Sequence, residues 1–528
     1  MMRYFLTMLI LAQLLVACGD AESAQTPIEA EVPAPEATEI VTEEQSPSVD
    51  RTETDVSSDY PYTIVDTDQT HCFSESGTIA CGESYNGQDA QYEGVQPAYQ
   101  NNGDGTITDL NTGLMWIQDA GEKTTYADAM AELETYTFAG YDDWRLPTIK
   151  ELYSLALFSG VDASATNSSD VDGLWPLIDD DYFVFVYGDK SGGNRVIDAQ
   201  WLSSTIYNST VNNDENCFFG FNFSDGRIKC YGLGGNSPSG GYFAQYVRDG
   251  DTYGVNDFVD NGNGIVTDKA TGLAWTQNDN GEGVVWDDAL NYCEALSLGD
   301  TDDWRLPNIK ELHSIIDYDR SPDTTGSAAI DPLFNLTSIT NEGGESDYGF
   351  YWSSTTLISY PDNVSAATYI SFGRALGYQE QLGGWVDVHG AGAQRSDPKV
   401  SGEETYEFGH GPQGDAVRTS NYVLCVSGGA EPSNGDDPST LELSNVDAVS
   451  TENGDVPTTD GASPQTGLDD ARPDLAAAAA TLGITEQELR DALGTPPPDF
   501  AATAEALGIT VEELQNALGV EPSGPALP

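Results

Sequence analysis

An internal repeat is the strongest constraint on how this chain folds. The hexapeptide DDWRLP stands at residues 142–147 and again at 302–307, and IKEL follows both times. Other landmarks recur in the same order: NNGDGTITDLNTGLMW (101–116) matches DNGNGIVTDKATGLAW (260–275), and QWLSST (200–205) matches YWSST (351–355). One domain is therefore expected twice, at residues 98–250 and 251–429, called copy one and copy two below.

The pattern within each copy predicts an α+β fold. GTITD and GLMW predict two short strands joined by an Asn-Thr-Gly turn, and Pro147 suits the first turn of a helix. Two helices are predicted in copy one from apolar residues at helical spacing, namely Tyr126, Ala129, Met130 and Leu133, then Ile149, Leu152, Leu155 and Ala156. The remaining text is rich in Gly, Asn and Ser with short aromatic runs, which favours an antiparallel sheet with long loops.

The ends of the chain predict export and a lipid anchor. Residues 1–18 are typical of a signal peptide that ends Leu-Val-Ala-Cys, so Cys18 is predicted to be lipidated. Gly19 follows Cys18. Because this residue is not the aspartate that retains some bacterial lipoproteins in the inner membrane, the outer membrane is favoured. Residues 19–59 and 430–470 are acidic and predict disordered segments, and residues 471–520 predict two small helical hairpins. Each hairpin carries a capping box, at Thr485 and Thr510.

The net charge of −67 excludes nucleic acid as a partner and leaves the lipid anchor as the membrane contact. Besides Cys18 there are six cysteines, an even number that predicts three disulfides in an oxidising compartment. Proximity suggests Cys72–Cys81 and Cys217–Cys230, which leaves Cys293–Cys425. Copy one lacks both counterparts of the last pair, as a disulfide between them predicts. The text between Cys217 and Cys230 reads as a hairpin found only in copy one.

The repeated landmarks resemble the Lcl C-terminal domain family, named for a collagen-like bacterial surface adhesin. The resemblance rests on DDWRLP-x-IKEL followed by SST and covers residues 98–429 in two copies. It implies two tandem domains related to the C-type-lectin-like and formylglycine-generating-enzyme-like folds. Residues 60–97, with their Cys pair, resemble a leader that often precedes such domains. The adhesin binds sulfated glycans, but basic residues do not cluster in this sequence, which argues against an anionic ligand.

The repeated Trp-Arg pair is interpreted as a fold signature rather than a binding platform. A buried Trp and an Arg paired with a carboxylate would fix the turn into the helix that Pro starts. The residues are Trp144, Arg145, Pro147 and Glu151 in copy one, and Trp304, Arg305, Pro307 and Glu311 in copy two. Three other tryptophans in loop-rich segments, Trp201, Trp352 and Trp385, are the candidates for ligand contact.

Calcium is the one cofactor that the sequence suggests. The Asn/Asp/Gly-rich loops do not fit an EF-hand at either end, but a different calcium site could use the carboxylates of Asp104, Asp109, Asp260 and Asp268. An Asn/Gly turn between strands is the competing interpretation. No metal is assigned from the residue spacing alone.

The function expected from the sequence is non-catalytic binding or adhesion by a cell-envelope lipoprotein. Its partner would be an extracellular glycan or a surface protein. No nucleophile–base or metal constellation points to an enzyme. One alternative is a structural component of an envelope assembly that docks through residues 471–520. A second, disfavoured alternative is an enzyme of the formylglycine-generating type.

Overall fold

The computed structural model describes residues 60–441 except 83, 167–170, 172–173, 190–192, 235–239, 251 and 403–405, together with the single positions 482, 504, 507, 509, 510 and 514. The chain divides into two units, Met1–Val446 and Asp447–Pro528, and nearly all of the described residues lie in the first. The predictions for residues 1–59 and for the helical hairpins therefore lie outside the described residues. Among the described helices, none has the length and apolar character to cross a membrane.

The leader and copy one are built from short strands and two helices. The leader holds β1 (Cys72–Phe73), β2 (Thr78–Ile79) and β3 (Tyr92–Glu93). Copy one continues with β4 (Tyr99–Asn101), β5 (Thr106–Asp109), β6 (Met115–Ile117), α1 (Tyr126–Leu133), α2 (Ile149–Ser154), β7 (Gln200–Ile206), β8 (Cys217–Asn222), β9 (Arg227–Gly232) and β10 (Val247–Arg248). Copy one is therefore α+β and mostly sheet, as the sequence pattern predicted at this coarse level.

Copy two repeats this order with longer strands and an insertion. Its elements are β11 (Phe258–Asp260), β12 (Ile265–Asp268), β13 (Ala274–Thr276), α3 (Trp286–Glu294), α4 (Ile309–Ser314), β14 (Ser338–Thr340), β15 (Ser346–Tyr348), β16 (Phe350–Ser359), β17 (Asn363–Ser371), β18 (Leu376–Gln379), β19 (Gly384–Asp387), β20 (Gln394–Pro398) and β21 (Val426–Ser427). A further strand, β22 (Glu431–Pro432), follows copy two. The pair β18–β19 lies between β17 and β20, where copy one has only the short β8–β9 connection.

Each copy opens with a three-stranded antiparallel meander that its last strand completes. The orders are β4-β5-β6-β10 and β11-β12-β13-β21. Trp116 pairs with Ile107 in copy one and Trp275 pairs with Val266 in copy two, so the same tryptophan sits at the same register in both. Both indoles are fully buried. The last strand of each copy thus returns to the first sheet and closes the domain.

The helices begin where local chemistry caps them. Thr148 and Glu151 form a capping box at α2, and Asn308 and Glu311 form the matching box at α4. The apolar positions predicted on α2, from Ile149 to Ala156, are buried. On α1 the prediction for Met130 is wrong, because its side chain is 44% exposed while Ala129 faces the core.

The two copies share a six-stranded sheet of order β16-β17-β20-β9-β8-β7. Three strands come from each copy, and Gln394 of β20 pairs with Ile228 of β9 across the joint. The prediction that the β8–β9 hairpin exists only in copy one is wrong, since β17 and β20 take the same places in copy two. A longer connection had hidden this similarity in the sequence.

One hydrophobic core runs through both copies. It includes Tyr153 of α2, Leu312 of α4 and Ile316, which follows α4. The Tyr153 ring lies 4.4 Å from the His313 ring, centroid to centroid. The two tandem copies predicted from the sequence therefore share a core and a sheet, and they do not fold as independent domains.

The leader and residues 430–441 pack on this body. Strand β22 pairs with β3, and the Oγ1 of Thr440 lies 3.0 Å from Nε2 of His71. The sequence had assigned 430–441 to a disordered linker; that assignment is wrong for this stretch, because its backbone and side chains are bonded to the leader. The three predicted disulfides are confirmed: Cys72–Cys81, Cys217–Cys230 and Cys293–Cys425.

Candidate ligand-binding cleft

The repeated Trp-Arg pairs lie inside the scaffold. Arg145 donates to both carboxylate oxygens of Glu151, at 2.7 and 2.6 Å, and Arg305 donates to Glu311 in the same way at 2.6 and 2.5 Å. The same Glu residues cap their helices. The indoles of Trp144 and Trp304 are buried. Since their polar and aromatic surfaces are taken up by the fold, these residues hold the loop that precedes Pro147 and Pro307.

Two of the three tryptophans proposed to touch a ligand are in the core. Trp201 is 1% exposed and Trp352 is 0% exposed, so the prediction that they contact a ligand is wrong. Both lie on strands of the shared sheet, whose pleat points these side chains inward. Trp385 differs: it is partly exposed on β19 and lines a second, smaller cleft of about 340 Å³ beside Arg374 and Asp387.

The four carboxylates considered for calcium serve turns instead. Asp104 accepts hydrogen bonds from the backbone and hydroxyl of Thr106, and Asp260 accepts one from the backbone of Gly262. Asp109 accepts from the backbone of Asn111 and Thr112, and Asp268 accepts from that of Asp257 and Ala270. Among the described residues no three acidic, His or Cys groups come together as a metal site would need. These hydrogen bonds support the Asn/Gly-turn interpretation of the loops. The arrangement of the described residues gives no support to the calcium hypothesis.

A large cleft lies where the two copies meet, at the joint of the shared sheet. We call it the inter-copy cleft; its volume is about 640 Å³. Copy one contributes strand β9 and residues 194–200, and copy two contributes β20 and residues 410–415. A volume of this size is in the range of sites that hold small ligands.

Four basic residues line this cleft in a chain that has only 20 lysines and arginines: Arg195, Arg227, Lys229 and Arg395. The pairing of Gln394 with Ile228 sets Arg395 opposite Arg227 on adjacent strands. Two like charges at such positions repel each other unless acidic groups compensate. No sequence pattern indicates the whole cluster, because its members are up to two hundred residues apart.

Carboxylates accompany each of these cations. Asp198 lies 2.7 Å from Arg195, Asp162 lies 2.8 Å from Arg227, and Asp225 lies 3.2 Å from Lys229. Asp415 is bonded both to Arg395 and to Nε2 of His389. Each lysine and arginine of the cleft therefore has a carboxylate partner, within a chain that is otherwise strongly acidic.

The ionisation of this network follows from burial and pairing. Burial alone would raise the pKa of Asp415, yet Arg395 and His389 lower it far below its usual range. Burial lowers the pKa of Lys229, while Asp225 opposes that effect. Burial also lowers the pKa of His389 to about 4, so its imidazole is neutral at physiological pH. The Asp415 carboxylate is thus a charged acceptor.

Three buried donors on residues that line the cleft lack a protein partner within the described part of the chain. They are Nη1 of Arg395 and the hydroxyls of Tyr231 and Thr166. Buried polar groups in folded proteins almost always have a partner, which is water or a ligand when the protein supplies none. Because the residues that carry these donors line the cleft, water or a molecule bound there is their candidate partner.

One sequence signal could have found part of this site. The text RIKCY at 227–231 alternates polar and apolar residues, so Arg227, Lys229 and Tyr231 share one face of β9 while Ile228 and Cys230 face the core. The contribution of Arg395 could not be read this way, because it depends on which strand edges of the two copies pair.

The fold and cleft define a protein of two α+β copies that are joined through one sheet and enclose a polar cleft. The family model of the Lcl C-terminal domain matches residues 105–248 and 264–386, together about half of the 528 residues. The chain therefore belongs to the Lcl C-terminal domain family and carries its domain in two copies. Searches of curated proteins and of solved structures gave no match.

Proposed function

We propose that this chain is an exported, non-catalytic binding protein that holds a glycan in the inter-copy cleft. The observation that carries the proposal is the presence of buried donors without a protein partner, Tyr231 Oη and Arg395 Nη1 among them, in a cleft whose lysine and arginine side chains are each paired with a carboxylate. A surface or periplasmic location on the lipid anchor at Cys18 is part of the proposal. So is a relation of each copy to the C-type-lectin-like fold.

The chemistry of the cleft suits a sugar. Each sugar hydroxyl both donates and accepts, and Arg-Asp pairs present both functions in fixed geometry. Tyr231 and Tyr242 add aromatic surface, which packs against the apolar faces of sugar rings. Because the cations and carboxylates balance, recognition of hydroxyls is favoured over attraction of a highly charged polymer.

A tyrosine hydroxyl that bonds nothing in the described part of the protein gives the sharpest test. Tyr231→Phe removes only that oxygen, so folding should be preserved and glycan binding weakened; loss of a hydrogen bond of this kind costs roughly 0.5–1.5 kcal/mol, or about 2- to 12-fold in affinity. A glycan array with neutral, carboxylated and sulfated members would identify the ligand, and titration calorimetry would measure the variant.

A matched control is Tyr99→Phe. The Tyr99 hydroxyl is also buried without a partner among the described residues, but Tyr99 does not line the cleft. The control should bind the array ligand as the unmodified protein does. If no array member binds, or if both variants bind equally well, the proposal fails. The alternative, assembly through residues 471–520, would instead show as retention of one envelope protein that is lost when those residues are deleted.

A further inference from the structure

Lys150, Asn256 and Asp268 meet where copy one joins copy two. The Nζ of Lys150, on helix α2, donates to Oδ1 of Asn256 at 2.8 Å. The Nδ2 of the same Asn256 donates to Oδ2 of Asp268 at 2.8 Å and to the hydroxyl of Tyr62 at 3.2 Å. Both amide hydrogens are therefore directed away from the lysine, and the amide carbonyl is directed toward it.

Aromatic rings lie beside this trio. A cavity of about 10 Å³ beside Lys150 is lined by the rings of Tyr62, Tyr153 and Tyr253. That volume holds roughly one water-sized molecule. Asp268 is 0% exposed. A lysine amine, a side-chain amide and a buried carboxyl group thus lie together; Lys150 and Asn256 are partly exposed, so a small leaving molecule has a path to solvent.

We infer that Lys150 and Asn256 form an intramolecular isopeptide bond, with Asp268 as the catalytic residue. The neutral Nζ attacks Cγ of Asn256 and forms the Nζ–Cγ bond, while the C=O electron pair moves to Oδ1. The proton lost by Nζ passes to Nδ2, and Asp268, which already accepts a hydrogen bond from Nδ2, stabilises the positive charge that develops on that nitrogen. The carbonyl re-forms, the Cγ–Nδ2 bond breaks, and ammonia leaves. No oxidant or other reactant is needed.

Electrostatics at the site are compatible with the attacking amine. Burial lowers the pKa of Lys150 to about 8, although Asp268 and Asp317 oppose that shift. A substantial neutral fraction is therefore present at mildly alkaline pH. The pKa supports the geometry, which is the basis of the inference.

The chain contains its own control in Lys310, the equivalent lysine of copy two. Lys310 is buried where Lys150 is partly exposed, and burial lowers its pKa to about 8 as well. Its Nζ donates to the backbone oxygen of Asp66 at 2.9 Å, not to a side-chain amide. A backbone carbonyl has no ammonia to release, so Lys310 should remain a free amine.

The bond would join two segments that are 106 residues apart in sequence. It would fasten helix α2 of copy one to the chain entering copy two, next to the point where Lys150 also donates to the backbone of Ser314 on α4. A covalent tie there would keep the shared sheet, and the cleft on it, from opening.

A tryptic digest of the reduced, alkylated full chain tests the inference. Trypsin does not cleave after an acylated lysine, so peptide 146–190 should appear joined to peptide 249–269, lighter than their sum by one ammonia. Peptide 306–310, ending at Lys310, should be released normally. Recovery of free 146–150 and free 249–269 in the same yield as 306–310, with no joined species, overturns the inference.

Two variants test the chemistry. Lys150→Arg removes the nucleophile and should abolish the joined peptide. Asp268→Asn removes the negative charge beside Nδ2 and should leave peptide 146–150 free. A joined peptide that persists in Lys150→Arg would mean that another residue is linked, which overturns the assignment. Because the unmodified chain alone decides whether the bond exists, misfolding of a variant would not obscure the answer.

Discussion

Arg305 and Glu311 form a buried, doubly hydrogen-bonded pair, whereas in the equivalent pair Glu151 is buried and Arg145 is partly exposed. The Arg305 side chain is 3% exposed and the Arg145 side chain is 35% exposed. The leader makes the difference, because the ring of Tyr92 lies over the Arg305 guanidinium at 5.3 Å. The arginine of the same Arg–Glu motif is therefore shielded from water in copy two and partly hydrated in copy one.

The first prediction compares the Arg305–Glu311 pair with the Arg145–Glu151 pair. Glu311→Gln leaves the Arg305 charge buried without its counter-ion, and breaking such a pair costs about 3–5 kcal/mol of unfolding free energy. Glu151→Gln should cost less, because water can solvate Arg145. Both variants alter the same helix cap, so the difference reports the burial of the arginine. Urea unfolding followed by tryptophan fluorescence measures it, and equal losses would contradict the prediction.

The second prediction concerns the disulfides. Cys293–Cys425 closes a loop of 132 residues and Cys72–Cys81 one of 9. Loop-closure entropy assigns them about 5 and about 3 kcal/mol respectively. The double variant Cys293→Ala/Cys425→Ala should therefore lose more stability than Cys72→Ala/Cys81→Ala. Denaturant midpoints at constant slope would show this order, and the reverse order would refute the chain-entropy account here.

The third prediction is a pH dependence of stability. Burial and the nearby Asp66 raise the pKa of Asp89 from its ordinary 3.8 to about 8, although the hydroxyls of Thr355 and Thr67 bond to it. The folded chain thus binds this proton more tightly than the unfolded chain does. The contribution to stability is full below about pH 3.8 and is lost as pH rises toward about 8.

The variant Asp89→Asn isolates that contribution. It should flatten the fall in unfolding free energy between pH 4 and pH 8, roughly the window set by the two pKa values. Buried His313 and His389 act with the opposite sign at lower pH, so the comparison is between variant and unmodified protein. Asp142→Asn, at an exposed position, is the control and should leave the profile unchanged. Parallel profiles for Asp89→Asn and the unmodified chain would contradict the prediction.

Local features of this fold were predictable from sequence, and features that join distant segments were not. The helix starts at Ile149 and Ile309 follow from a proline, a capping residue and a Glu three positions on, all within one turn. The Cys293–Cys425 disulfide followed from comparing the copies. The pairing of Gln394 with Ile228 has no local signature, because any unpaired strand edge could have met any other.

The candidate cleft could not be predicted from the sequence, for the same reason. Its cations come from separate places in the chain and meet only when β9 and β20 pair. The prediction that Trp201 and Trp352 contact a ligand failed for a different reason. Both residues lie among Ser and Thr residues in the sequence, which suggested loops. Those hydroxyls are themselves buried and bonded, as Ser353 is to Thr368 at 2.6 Å. A polar strand can therefore be an interior strand.

The fourth prediction concerns Gln69 of the leader, which bridges both copies. Its Nε2 donates to the backbone oxygen of Phe158 in copy one at 3.1 Å and to that of Thr356 in copy two at 2.8 Å. Its Oε1 accepts a hydrogen bond from the backbone of Thr356 at 2.8 Å. One amide thus satisfies three backbone groups that belong to different copies.

Gln69→Ala should therefore cost far more than loss of a surface amide. Each buried backbone group left without a partner costs about 1–3 kcal/mol, so a loss of several kcal/mol is expected unless water replaces the amide. Gln96→Ala, at an exposed leader position, is the matched control and should change little. Hydrogen exchange should show faster exchange at the amide of Thr356 in the first variant only. If Gln69→Ala unfolds at the same denaturant concentration as the control, the leader does not fasten the two copies together.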